Sequence, residues 1–407
     1  MQGRRHPHSV DRRLTSTFGD YRERIDPFTG LRTYWGTGNV PIGAIETLPA
    51  APEFHPKYLK KFGPSVNKPC SVFCMSEGFI DDNLFHTVEG QLPGEGFDRA
   101  MIIENGLPVI PDSYLAVLPY CHFEDIAEAH NDDIVQLADA LHWFLQAVAE
   151  EEVFSHVLLS INYGDVTGSV SHFHVQLYLV KKGEFRGEII QKVIDLEHKL
   201  AQERVRKREP AIASQFEYET RGATSNQIVQ SLDSSVGGTI IYVPLNAQHE
   251  NELVVSNNTQ TPLTNFSQFD HPQYFVDLLV GLRQATRLLR AKAMPVSYQV
   301  QAHIPLTDEF CGTSPIRIRM CPLYSINNPL PTSQYGFKTK VDPVHNAELY
   351  REIFQAWSGT PFLPNTEPLS FREYCHGIHT PDHNLRVNCG EPAFGIPYTR
   401  TKGFALQ

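Results

Sequence analysis

Gly168-Ser169-Val170-Ser171-His172-Phe173-His174-Val175-Gln176-Leu177-Tyr178-Leu179-Val180 sets the reading of the whole chain. His172, His174, Gln176 and Tyr178 alternate with Phe173, Val175, Leu177 and Leu179, the two-residue period of a β-strand. One face of that strand carries two imidazoles, an amide and a phenol, and the other is apolar and suited to burial. A turn of small residues precedes it. Such a face suits phosphorus chemistry. A neutral imidazole attacks phosphorus, a carboxamide donates to a phosphoryl oxygen, and Gly and Ser backbone approaches a polyphosphate closely. His-x-His on a strand also chelates metals, but no acidic partner stands close in sequence, so that reading ranks second for His174.

Outward from this strand the chain repeats a pattern. Residues 100–103 and 114–118 read as a strand pair. Residues 132–151 place Ile134, Leu137, Leu141, Phe144, Leu145 and Val148 at helical spacing. Residues 157–162 form a strand ending at Asn162, and the His-x-His strand follows. The second half replays this order, with strands at 239–243 and 252–255, a helix at 274–292, and strands at 295–301 and 316–326. We read an internal duplication of a strand–strand–helix–strand–strand unit and expect an α+β fold. The expected divisions are a first unit over 1–185, a helical connector over 186–235, a second unit over 236–357 and a wrapping tail over 358–407. The connector is charged, with an apolar stripe interrupted at Pro210. It is expected to lie over the sheet or at a subunit contact of a homodimer.

The Gly/Ser turn followed by His172-Phe173-His174-Val175-Gln176 resembles the histidine triad superfamily, in the glutamine form of its transferase branch. That branch holds galactose-1-phosphate uridylyltransferases, diadenosine tetraphosphate phosphorylases and GDP-hexose phosphorylases. The resemblance implies a tandem pair of units with antiparallel sheets and packed helices. It also implies a nucleotidyltransferase that passes a nucleoside monophosphate through a covalent His174 intermediate. Donor would be a nucleotide sugar or nucleoside polyphosphate, and acceptor a sugar 1-phosphate or phosphate. By the same resemblance Gln176 assists at the α-phosphate, His172 is the first histidine of the motif, Gly168 and Ser169 hold the next phosphate, and Asn162 contacts the ribose or phosphate region. Phe173 stands where the family usually has proline and Val175 where uridylyltransferases have glycine, which loosens the sugar-nucleotide assignment. A phosphorylase and a non-catalytic nucleotide-binding protein are the alternatives.

Cys70, Cys74, His122 and His172 together make a tetrahedral zinc set. The uridylyltransferases place a Cys pair and two histidines at comparable points, with two intervening residues where this chain has three, so a structural zinc is expected that the chemistry does not require. In the second unit, Arg317 and Arg319 share a strand face where uridylyltransferases carry metal-binding histidines. Guanidinium groups do not ligate metals. They suit an anionic substrate group, or equally serve as salt-bridge partners.

Composition is consistent with this reading. The chain has 407 residues, is 41% hydrophobic and 20% charged, and carries a formal charge of −11. No basic domain suggests a nucleic-acid partner. No apolar run approaches the ~20 residues of a membrane helix. The N-terminus lacks a signal-like apolar core, and the 7 cysteines do not form a disulfide framework. A reducing cytoplasm is the expected location.

Overall fold

The computed structural model describes residues 10–16, 19–36, 100–105, 112–118, 123–164, 172–184, 188–208, 212–221, 227–249, 251–292, 297–323, 337–339 and 342–357. Its strands are β1 (Val10–Ser16), β2 (Gly19–Ile25), β3 (Arg32–Gly36), β4 (Met101–Glu104), β5 (Ser113–Val117), β6 (Phe154–Tyr163), β7 (His174–Lys181), β8 (Ile228–Leu232), β9 (Thr239–Tyr242), β10 (Leu253–Asn257), β11 (Ser297–Pro305), β12 (Arg317–Leu323) and β13 (Phe337–Thr339). Its helices are α1 (Asn131–Glu150), α2 (Glu188–Glu203), α3 (Gln215–Arg221), α4 (Gln273–Lys292) and α5 (Pro343–Trp357).

The expected duplication is present. The first unit, β4-β5-α1-β6-β7, makes a sheet in the order β4-β5-β7-β6, and the second, β9-β10-α4-β11-β12, makes one in the order β11-β12-β10-β9. The two join edge to edge through antiparallel β6 and β11, giving one nine-stranded sheet with β8 at its far end. The order of strands on one side of the β6–β11 seam mirrors the order on the other. By position, β7 and β12 are counterparts, and so are the loops that lead into them.

One face of the sheet is apolar. Val157, Leu159, Ile161, Val175, Leu177, Leu253, Val255, Val300 and Met320 are buried in the main core with the inner faces of α1 and α4. In α1 that face is the one read from the sequence: Ile134, Leu137, Leu141, Phe144, Leu145 and Val148 are all buried. The helix begins where Asp133 accepts from the backbone N–H of His130 at 2.8 Å, and Asp132 and Asp133 sit in the positive first turn.

The seam is locked below the sheet by arginines of α4 that reach the short 3-10 turn Ile126–Glu128 of the first unit. Arg283 donates to Ala129 O at 2.9 Å and Asn131 Oδ1 at 2.7 Å, and Arg287 to Ala127 O at 2.9 Å. Arg290 pairs with Asp125 at 2.6 Å and Glu128 at 3.2 Å, while Tyr298 donates to Asp125 at 2.8 Å. Burial lowers the Arg283 guanidinium to about 9. The seam is also tight at its end: Gly164 has φ +85, and a Cβ there would sit 3.0 Å from Ser297 Cα.

A second sheet, β1-β2-β3-β13, contains the opening segment. It packs on the second unit, with Arg24 donating to Leu245 O at 2.9 Å and Asn246 to Leu31 O at 3.4 Å. The expected connector forms α2 and α3, and α3 lies over the second unit's other sheet face, where Phe216 packs on Ile240, Tyr242 and Val254. β8, expected within the connector, is part of the sheet. Pro210 and the expected tail over 358–407 lie outside the described residues.

Candidate active site

β7 is an interior strand, hydrogen-bonded to β5 on one side and β6 on the other. His174 pairs with Val117, and Gln176 faces Leu115 and Ser160. Double pairing fixes the backbone and therefore the direction in which each side chain leaves the sheet. Val175, Leu177 and Leu179 go into the core, and His174, Gln176 and Tyr178 leave from the opposite face.

His174 is buried, and its Nδ1 lies 2.9 Å from the backbone carbonyl of His172. A carbonyl only accepts, so Nδ1 carries the proton and Nε2 presents its lone pair. Gln176 Nε2 stands 3.5 Å from that nitrogen. Its amide orientation follows from its other contacts: Oε1 accepts from Tyr178 OH at 2.6 Å and from Asn162 Nδ2 at 3.3 Å, leaving the NH2 for His174. Burial raises the Tyr178 phenol, which keeps it a donor.

The amide row continues across the seam. Gln299 Nε2 donates to Asn162 Oδ1 at 3.2 Å, and Gln301 Nε2 donates to Gln299 Oε1 at 2.7 Å. Donors therefore run in one direction from Gln301 through Gln299, Asn162 and Gln176 to Nε2 of His174. Gln299 and Gln301 are not among the residues expected at the site, and Tyr178 is expected on its strand face but with no role. The signal was present in the alternation of Ser297, Gln299 and Gln301, but only the β6–β11 pairing places those amides beside Asn162.

His172 is buried, and what the structure shows of its part is the carbonyl that orients His174. Phe173 donates its backbone N–H to Phe123 O at 2.7 Å and stacks on the Phe123 ring at 5.2 Å. Proline, usual at that position in the resembled family, has no N–H to give. Gly168, Ser169, Cys70, Cys74 and His122 lie outside the described residues, so of the expected zinc set only His172 is placed.

Arg317 and Arg319 leave the same sheet face as His174, but three strand spacings away, roughly 14 Å. Arg317 pairs with Glu219 at 2.9 Å, and Arg319 with Glu252 at 2.8 Å and Glu219 at 3.4 Å. Glu219 and Glu252 are fully buried, and Tyr242 OH donates to Glu219 at 3.1 Å. Of the two readings of these arginines, the contacts match the salt-bridge one. The guanidinium groups are held by internal carboxylates under α3, which gives them the salt-bridge role.

A second imidazole pair lies on β6 and β11. His156 and His303 stack at 4.4 Å. Burial pushes His156 down to about 4, and burial with the neighbouring His156 and Arg317 pushes His303 down to about 3.

The site and sheet define a fold class: two copies of a strand–strand–helix–strand–strand unit fused through one continuous sheet, with a His-x-His-x-Gln strand in the first. Comparison with solved structures gives the same class. A GalT-like protein from Arabidopsis thaliana superposes with a TM-score of 0.57 at 13% identity, over 82% of this chain and 98% of that one. An ADP-glucose phosphorylase from Arabidopsis thaliana with bound ADP-glucose gives 0.58 at 13% identity, over 82% and 99%. A uridylyltransferase gives 0.52 at 15% identity, over 82% and 98%. No protein-family model and no curated protein matches the sequence. Among the described residues, no helix is long and apolar enough to cross a membrane.

Proposed function

We propose that this chain is a nucleotidyltransferase of the uridylyltransferase and phosphorylase kind, working through a covalent His174–nucleoside monophosphate. The observation that carries the proposal is the His174 tautomer: Nδ1–H is anchored on the His172 carbonyl, and Nε2 is directed at Gln176. Nε2 attacks the α-phosphorus of a nucleotide sugar or nucleoside polyphosphate. The P–N bond forms as the P–O bond to the leaving phosphate or sugar phosphate breaks. The imidazole becomes cationic, and the His172 carbonyl steadies the Nδ1 proton. Gln176 donates to an α-phosphoryl oxygen as charge gathers there. A phosphate or sugar 1-phosphate oxygen then attacks the same phosphorus, and the P–N bond breaks. Positioning supplies much of the acceleration. Gly168 and Ser169 are proposed to hold the β-phosphate, and Asn162 the nucleotide.

Two acceptors fit this chemistry. A sugar 1-phosphate corresponds to the uridylyltransferase likeness and inorganic phosphate to the ADP-glucose phosphorylase likeness. Phe173 and Val175, which depart from the uridylyltransferase pattern, favour keeping the phosphorylase reading beside the first. Kinetics with donor and each acceptor test the proposal. Parallel double-reciprocal lines and exchange of label between donor and its own leaving group are expected. Intersecting lines without exchange would replace the covalent route with direct transfer. A structural zinc on Cys70, Cys74, His122 and His172 is part of the proposal. It would brace the approach to β7, and no chemical step passes through it. Purified protein is expected to carry about one zinc per chain, and metal-free, fully folded protein would remove it.

A further inference from the structure

The loop leading into β12 holds an anion. The carboxylate of Glu197, carried by α2 and fully buried, projects into the turn Gly312-Thr313-Ser314. Its Oε2 accepts from the backbone N–H of Thr313 at 2.7 Å and of Ser314 at 3.1 Å, and from Thr313 Oγ1 at 3.5 Å. Its Oε1 accepts from the Ser314 hydroxyl and from the backbone N–H of Gln215 at 2.8 Å. A Cβ on residue 312 would collide with Oε2, so glycine is what lets the carboxylate approach the backbone. Converging backbone N–H and hydroxyl donors form an oxyanion cradle.

The position of this cradle matters. It occupies the connection from β11 to β12, the counterpart of the β6–β7 connection that contains Gly168 and Ser169. We infer that the second unit retains an oxyanion-binding loop for a phosphate or phosphomonoester, and that the connector's Glu197 fills it, leaving the chain one working phosphate loop rather than two. The comparison of the two loops rests on the proposed role of Gly168 and Ser169. The cradle itself rests only on the contacts of Glu197.

Glu197→Ala tests it. Equilibrium dialysis with radiolabelled inorganic phosphate is expected to find one more site per chain in Glu197→Ala than in the parent. Adding Ser314→Ala to that variant should weaken the new site at least tenfold. Adding Ser169→Ala should leave it unchanged, which separates this claim from the reading of the first unit: if the parent binds no phosphate at all, the extra site in Glu197→Ala still stands. Equal phosphate counts in parent and folded Glu197→Ala overturn the inference. If Glu197→Ala recovers poorly on refolding, phosphate at matched ionic strength should restore its folded fraction beyond chloride. No difference between the two salts overturns the inference equally.

Discussion

At the scale of single residues, His174 is defined by what holds its ring. One backbone carbonyl fixes the proton on Nδ1, and one amide, itself held by Tyr178 and Asn162, faces Nε2. Under the proposed mechanism, replacing Gln176 by Ala removes a donor to charge that develops in the transition state. A loss of about 3–4 kcal/mol of transition-state stabilisation is expected, read as a 10²–10³ fall in kcat with the fold intact. Phe173 shows the reverse case, a residue that departs from the resembled pattern for a local reason. Its N–H and ring are both spent on Phe123. Phe173→Pro should therefore destabilise the protein by roughly 1–3 kcal/mol in a denaturant titration. An unchanged midpoint would show that neither contact matters.

At the scale of elements, β6 and β11 do more than close the sheet. Asn162 on one and Gln299 on the other make a hydrogen bond across the seam at 3.2 Å, so the second unit helps to orient the first unit's amides. Gln299→Ala is expected to lower kcat about tenfold through Asn162 and Gln176, one tenfold step being about 1.4 kcal/mol, while the unfolding midpoint stays put. A change in midpoint alone would make Gln299 a packing residue. The same two strands carry His156 and His303. Both imidazoles are depressed in the fold, to about 4 and about 3, so they stay neutral there while an unfolded chain takes up protons near pH 6.5. Stability is thus complete above that pH and falls as pH drops toward the folded values, by roughly 2 kcal/mol for each imidazole between pH 6.5 and 5. Arg317, the Ser155 hydroxyl and the Phe310 carbonyl are polar groups against the pair. Thermal unfolding from pH 7 to 5 should show the fall, and His303→Gln should flatten it; a slope equal to the parent's would assign the acid sensitivity elsewhere.

At the scale of the whole molecule, the sequence made the repeated unit legible, because its signals are local. The period of two in β7 and the helical spacing in α1 and α4 each come from one continuous stretch. The seam, the amide row and the Glu197 cradle were not legible, because each depends on which distant strands become neighbours. Gln299 and Asn162 are 137 positions apart, and Glu197 and Thr313 are 116 apart. Arg317 and Arg319 were open to two readings for the same reason, since their carboxylate partners come from α3 and from the turn before β10. In the proposed function His174 becomes covalently nucleotidylated, once per chain. Intact-mass measurement after incubation with donor alone, without acceptor, tests it most directly. The expected result is one nucleoside monophosphate per chain, lost on acid treatment, mapped to the peptide containing His174 and absent from His174→Ala. Turnover without any adduct, or an adduct that survives in His174→Ala, would contradict it.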